Sequence, residues 1–284
     1  MAHSHKRTTL YTAAALLAFA ANSILCRLAL GGSSIDAASF SAIRLASGAI
    51  ALFALVAISR TPISWKQHGN WVSASMLFLY VIAFSFAYLS LSAGTGALIL
   101  FGAVQMTMMF GALRSGEAPG GMEWTGIVMA VAGLVYLLLP GLSAPSPAGA
   151  ALMLISGMAW GVYSLRGRQK SGALANTAGN FIRTLPMIAV ISLIAIPFMH
   201  ASVKGATLAI LSGALASGAG YAIWYSALGG LTTTRAAVVQ LSVPVLTALG
   251  GVTILMEPIS GRLILSSIMI LGGIWLTIIT HHPE

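Results

Sequence analysis

Ten apolar stretches separated by short polar connections leave this chain few ways to fold. They run over residues 10–30, 36–58, 71–92, 94–113 and 124–140, then 149–166, 176–199, 205–229, 235–256 and 262–280. Each is close to the ~20 residues that carry an α-helix across the hydrocarbon core of a bilayer. Transmembrane β-strands would alternate in polarity and stop after about ten residues, which these stretches do not. Composition agrees, with 58% of residues hydrophobic and 7% charged, against about 25% charged in a soluble domain. The expected fold class is an all-α integral membrane protein of ten transmembrane helices.

The stretches fall into two similar sets of five. Ile43-Arg44 recurs as Ile182-Arg183. At almost the same shift Gly111, Glu117, Gly121 and Gly133 recur as Gly251, Glu257, Gly261 and Gly273, and Ala97 as Ala237. Charge is scarce here, so the recurring Arg and Glu weigh more than the recurring small residues. A five-span unit joined head to tail enters the membrane the second time from the opposite side. The expectation is an inverted repeat, the architecture of many secondary transporters, with units at 1–141 and 148–284 and a linker at 142–147. The connections leave no room for a soluble domain.

Basic residues orient the spans. With the N-terminus inside, inner segments hold Lys6, Arg7, Arg60, Lys66, Arg114, Arg166, Arg168, Lys170 and Arg235, while outer loops hold Lys204 and Arg262. Such a bias places both termini in the cytoplasm. It also gives the net charge of +9 a reading that needs no nucleic acid. Lys6-Arg7 and Ala18-Phe19-Ala20 resemble parts of a signal peptide, but the apolar run continues to about Leu30, longer than a signal core of ~7–15 residues. It reads as an uncleaved first span. The single cysteine, Cys26, excludes an intramolecular disulfide and a cysteine metal site. The Gly157-x-x-x-Gly161 pair suits close helix approach in lipid.

An Arg inside each second span, a Glu after each fourth span and a Gly-rich fifth resemble the drug/metabolite transporter (DMT) superfamily. Ala159-Trp160-Gly161 resembles its EamA-like pattern, from which Ala20-Ala21-Asn22 departs in the first unit. The resemblance covers nearly the whole chain and is most similar to the YddG-type amino-acid exporters. It implies a central cavity ringed by the first, third, fourth, sixth, eighth and ninth spans, and amino-acid export.

Polar or aromatic residues near mid-span are the informative ones, because burying them in a bilayer needs a partner or a function. Tyr80, Phe84 and Tyr88 share one face of the third span at i, i+4, i+8. Tyr221, Trp224 and Tyr225 do so on the eighth, where Trp224 is the counterpart of Phe84 at the repeat shift. The sixth span adds Ser156, Trp160 and Tyr163. Asn22 and Ser23 come from the first span, Phe101 and Gln105 from the fourth, Gln240 and Pro244 from the ninth. The expected substrate-binding set is Asn22, Tyr80, Phe84, Phe101, Gln105, Trp160, Tyr163, Tyr221, Trp224, Gln240 and Pro244. Packing and interfacial belts also produce aromatic stripes, most simply for Tyr88 and Tyr225. The two glutamines suit the polar ends of a zwitterion. Pro244 would kink its helix by removing a backbone hydrogen bond.

Arg44 and Arg183 admit two readings: an anion site or gate, or a snorkelling Arg bonded to helix-end carbonyls. Recurrence in both units favours the scaffold reading. Glu117 and Glu257, each just past a span, read as loop caps or salt-bridge partners. No acid or His lies deep in a span, which disfavours proton-coupled cation efflux, a metal centre and an intramembrane enzyme. No phosphate-binding Gly loop is present. The resulting expectation is a non-enzymatic, cofactor-free exporter in a bacterial inner membrane, a monomer with a small-molecule substrate and the lipid bilayer as partners. The substrate would be an aromatic or neutral amino acid or a similar metabolite. Alternatives are an exporter of apolar drugs or other metabolites and, in a different class, a lipid flippase or an intramembrane enzyme, the last disfavoured by the absence of a deep acid or His.

Overall fold

The computed structural model describes residues 2–60, 67–114, 120–141, 144–167, 172–228, 231 and 239–280. Glu117, Lys66, Arg168, Lys170, Arg235, Ala237 and the side chain of Tyr225 lie outside the described residues. The helices are α1 (Ala2–Gly31), α2 (Ala37–Ile58), α3 (Trp71–Ala87), α4 (Ala93–Arg114), α5 (Gly121–Leu138), α6 (Pro147–Gly167) and α7 (Ala173–Ala195). There follow α8 (Val203–Ile210), a π-helical segment (Leu211–Ala219), α9 (Gly220–Leu228), α10 (Ser242–Leu255) and α11 (Gly261–Thr280). The run from α8 through the π segment to α9 is one continuous rod and forms the eighth apolar stretch. Among the described residues there is no strand, only an isolated bridge between Ile35 and Ala201.

Among the described residues, eight stretches of helix are long and apolar enough to cross a membrane, while α3 and α10 are shorter. Both shortfalls have local causes. The third stretch stops being regular helix at Ala87, where the amides of Leu89 and Ser90 turn onto the carbonyls of Phe86 and Ala87 only three residues back. Around the ninth, a turn at Leu241 interrupts the chain before α10 starts. Helix starts are capped by side chains that accept orphan amides. Asp36 accepts from Ser39, Asn70 from Ser73 and Ser202 from Gly205. Within the apolar spans, Ser41, Ser85 and Thr107 return their hydroxyls to the carbonyl four residues back, so no hydroxyl among these three needs water.

Packing contacts come in pairs that exchange the two halves. α3 packs on α6, and α9 on α1; α4 packs on α6, and α10 on α1. α2 lies along α8 and the π segment, and α7 lies on α3. Three further contacts join corresponding helices: α2 with α7, α4 with α10, and α5 with α11. Absent side chains set the closest approaches. A Cβ on Gly126 or Gly273 would lie 2.5 Å from the other's carbonyl oxygen, which brings α5 and α11 together. On α6, a Cβ at Gly157 would lie 2.6 Å from the Leu100 carbonyl oxygen, so the expected small-residue pair presses α6 against the α4 backbone.

The loops clasp each other reciprocally. Asp36, before α2, exchanges hydrogen bonds with His200 in the loop after α7, at 3.0 Å to its carbonyl and 2.7 Å from its amide. In return α7 holds the loop after α2. Asn176 accepts from the Gly69 amide and Asn180 from the Asn70 amide, both at 2.9 Å. Burial pushes the Asp36 carboxyl up, but hydrogen bonds from Ser39, His200 and Ala38 outweigh it and hold the group below its ordinary value.

Candidate functional site

Trp160 on α6 is the hub of an aromatic cluster between the two halves. Its ring lies 4.9 Å from Tyr80 on α3, 4.9 Å from Tyr221 on α9 and 5.5 Å from Tyr163 one turn along α6. Phe19 of α1 meets the cluster edge-on, 6.5 Å from Trp160, 5.9 Å from Tyr221 and 5.7 Å from Trp224. Offset and edge-on pairs of this kind contribute ~0.5–1.5 kcal/mol each beyond their buried area. Of these rings, Phe19, Tyr80, Trp160 and Tyr221 line a cavity together with Phe84, Phe101, Leu100, Asn22 and Ser23. It is narrow, about 20 Å³, little more than one water molecule needs. Any larger occupant must push rings or helices apart.

Asn22 and Ser23 make one wall polar, and the π segment backs it. Hydrogen bonding from i to i+5 widens the turn, so residues five apart face the same way. Ser212 and Ser217 therefore both reach Asn22 on α1. The Asn22 amide nitrogen donates to the Ser212 hydroxyl at 2.7 Å, and its oxygen accepts from Ser217 at 3.2 Å and from Arg44 Nη2 at 3.3 Å. Arg44 is 1% exposed. It also donates from Nε to Ser217 at 3.2 Å and from Nη2 to the Tyr80 hydroxyl at 3.0 Å. Its guanidinium carbon sits 5.3 Å from the Tyr80 ring centre and 4.9 Å from that of Phe84. Nη1 has no partner, and neither has the buried Tyr221 hydroxyl. Cation–π contact with two rings returns roughly 2 kcal/mol or more when desolvated, against several kcal/mol for burying a cation without a counter-charge.

The residues singled out from sequence distribute in three ways. Asn22, Tyr80, Phe84, Phe101, Trp160 and Tyr221 line the cavity. Tyr163 and Trp224, both buried, stand behind it, in contact with Trp160 and Phe19 respectively. Gln105, Gln240 and Pro244 are not among the lining residues. Gln105 lies one turn beyond Phe101 on α4. Gln240 is half-buried beside the break at Leu241. Pro244 has no N–H for the Gln240 carbonyl four residues back, and the helical residues 239–240 are separated from α10 by the turn at Leu241, the break expected of this proline.

Sequence reasoning missed Phe19, Ser212, Ser217 and the role of Arg44. Phe19 was legible as the one aromatic deep in the first span, a helical turn before Asn22. The signal for the serines was the pair Ser212-Gly213 and Ser217-Gly218, spaced by five, which α-helical periodicity scatters around the helix.

The two arginines differ. Arg183 matches the scaffold expectation, donating from Nη1 to the carbonyls of His68 at 2.8 Å and Gly179 at 2.9 Å. Arg44 does not: its partners are side chains, and it neither snorkels nor caps a helix end. Glu257 is the expected salt-bridge partner and cap. It pairs with Arg27 Nε at 2.9 Å and accepts from the Ala93 amide at 2.7 Å. Arg27 Nη1 also donates to the Tyr88 carbonyl at 3.1 Å. Ends of α1, α3, α4 and α10 are thus tied together beyond the cavity.

Comparison with known proteins places this architecture. The chain is 52% identical over 269 residues to an uncharacterized protein of Pseudomonas aeruginosa, covering 95% of this chain and 93% of that one. It is 25% identical to an uncharacterized transporter of Archaeoglobus fulgidus, over 80% of this chain and 83% of the relative. It is 26% identical to a probable amino-acid metabolite efflux pump of Escherichia coli, over 73% of this chain and 77% of the relative. A solved crystal structure shares the fold with a TM-score of 0.65 at 20% identity, covering 93% of this chain and 95% of that one. The EamA-like transporter family matches residues 6–139 and again 147–279. A multi-pass helical chain in which that family's pattern occurs once in each half belongs to the EamA-like transporter family.

Proposed function

We propose that this chain is a secondary transporter of a bacterial inner membrane that exports neutral or aromatic amino acids, or similar small metabolites. The observation that carries the reading is the aromatic cavity built from both halves, with rings from α1, α3, α4, α6 and α9, and with Ser217 and Arg44 hydrogen-bonded behind the lining Asn22 and Tyr80. Apolar rings with hydrogen-bonding edges suit an amino-acid side chain, and a polar wall suits its ionic end. The name of the Escherichia coli relative agrees with this substrate class. In this reading ten helices form two inverted repeats, residues 1–141 and 148–284, and transport proceeds as the repeats alternately open inward and outward. Contacts that recur when the halves are exchanged support the repeat. Both termini are cytoplasmic, as the nine-to-two bias of basic residues argues. The tie between Arg27 and Glu257 then lies on the outer side of the cavity.

Counterflow into proteoliposomes loaded with one amino acid at a time tests the function. Exchange of phenylalanine, tyrosine or leucine about tenfold above protein-free vesicles is the expected result. Movement of apolar organic cations with no amino-acid exchange would replace this reading with drug export. Topology has its own test in a cysteine at Ser202 in a Cys26→Ala background. An impermeant thiol reagent applied outside intact cells should label it, and labelling only from the cytoplasmic side overturns the orientation.

A further inference from the structure

A buried guanidinium with an unfilled donor edge is the most reactive electrostatic feature outside the aromatic cluster. Arg44 Nη1 has no hydrogen-bond partner although the residue is 1% exposed. Its ionisable neighbours are Tyr80, Tyr221 and Cys26, two phenols and a thiol. Among the described residues no carboxylate pairs with it, and the one ion pair is Arg27 with Glu257. Three of the groups that hold or cover it, Asn22, Tyr80 and Phe84, are walls of the cavity. The guanidinium is therefore one side chain away from the cavity, fixed at Nε and Nη2, with Nη1 buried and without a partner. The Tyr221 hydroxyl, also on the cavity wall and also without a partner, is a second donor within its electrostatic range.

We propose that Arg44, oriented by Ser217, Asn22 and Tyr80, is the receptor for the carboxylate of the transported molecule, reached when the narrow cavity widens. This rests on the transport reading above and names the chemical class its substrate must carry, a monoanionic carboxylate. With Nε and Nη2 engaged, the two N–H groups of Nη1 are left to donate charge-assisted hydrogen bonds to one carboxylate. A phosphate dianion would call for a second cation. Arg27 is engaged with Glu257 and Arg183 with two carbonyls, so neither is at hand. The remaining walls are aromatic faces, which accept an ammonium by cation–π contact. A zwitterion thus fits with its carboxylate at Arg44 and its ammonium and side chain against Trp160 and Tyr221.

A matched ligand series on the purified full-length protein in nanodiscs tests this. L-Phenylalanine carries both ionic groups, 3-phenylpropionate only the carboxylate and 2-phenylethylamine only the ammonium. Calorimetric binding should rank 3-phenylpropionate at least about tenfold above 2-phenylethylamine in the wild type. Arg44→Gln should bring the two within about threefold of each other. Tyr80→Phe removes one anchor of the guanidinium without touching charge, and should reduce the preference by about threefold. The wild-type ranking needs no variant to fold. Equal binding of the two half-ligands, no binding of 3-phenylpropionate, or a folded Arg44→Gln protein with its preference intact each overturns the carboxylate site. Failure of the amino-acid reading looks different: 3-phenylpropionate binds in an Arg44-dependent way while phenylalanine and other amino acids do not.

Discussion

At Arg183 the guanidinium reaches two backbone carbonyls, those of His68 and Gly179. At Arg44, its counterpart in the first half, it reaches a serine, a phenol and an amide and keeps one nitrogen without a partner. Neighbouring helices explain the divergence. Arg183 lies where the loop after α2 turns back and offers its His68 carbonyl. Arg44 lies where α2 runs along the π segment, whose widened turn offers hydroxyls in place of a loop. The same residue stands in both halves, and its surroundings give it two backbone carbonyls in one half and leave it one buried nitrogen without a partner, close to the cavity, in the other.

The largest expected effect separates these two side chains directly. Arg44→Gln should weaken binding of carboxylate ligands by roughly 10- to 100-fold, and Arg183→Gln by no more than about threefold. Equal losses in calorimetry would erase the distinction. Stability should run the other way, with Arg183→Gln losing charge-assisted bonds to two carbonyls, worth ~1.5–3 kcal/mol each, in equilibrium unfolding.

Next in size is the contrast between Trp160, at the centre of the aromatic cluster, and Trp275, half-exposed on α11. Trp160→Ala should lower transport per folded molecule about tenfold and Trp275→Ala by less than about twofold. Normal transport by Trp160→Ala would remove the cavity from the substrate path.

A third pair extends the comparison to the helix ends. Arg27 and Arg166 correspond at the same sequence shift as Arg44 and Arg183. Arg27 makes a 2.9 Å ion pair, while Arg166 makes 3.4 Å contacts with Ser73 and Asn70. Arg27→Gln should destabilise by about 1 kcal/mol, the upper end for a partly exposed pair, and Arg166→Gln by less. The exchange Arg27→Glu with Glu257→Arg should recover part of the loss in thermal unfolding.

The smallest effect concerns Asp36. Its carboxyl titrates lower folded than unfolded, so its contribution is fully present above the unfolded value near 3.9 and is lost as pH falls through the lower folded value. Between pH 5 and pH 3, wild type should lose a few tenths of a kcal/mol to about 1 kcal/mol relative to Asp36→Asn, the scale of a helix cap. A constant difference over that window would show that the clasp to His200 does not depend on the charge.

Hydropathy alone was enough to read most helices, because a bilayer-spanning helix must be apolar over its whole length. The two shorter helices escaped it, since the turn after Ala87 and the break at Leu241 occur inside apolar sequence. The face carrying Tyr80 and Phe84 was legible because α3 is a regular helix. Where regularity fails, so does the reading: the π segment puts Ser212 and Ser217 together in a way no α-helical projection does. Gln105 and Gln240 were chosen for chemistry alone: Gln105 shares the face of Phe101 but lies one turn beyond the cavity, and Gln240 lies beside the break at Leu241, depths that composition does not record. Arg44 and Arg183 look identical in sequence because their difference resides entirely in what packs against them.

A cavity of about 20 Å³ also has a kinetic meaning. Every occupant must first meet a widened form of the protein, and the measured dissociation constant is the intrinsic one divided by the fraction of molecules in that form. With about one molecule in a hundred widened, apparent affinity is about a hundredfold weaker than the contacts alone would give. On the proposed transport reading, the cost of widening lowers apparent affinity without removing any contact, so variants that loosen the aromatic cluster should bind more tightly as long as they keep its ligand contacts.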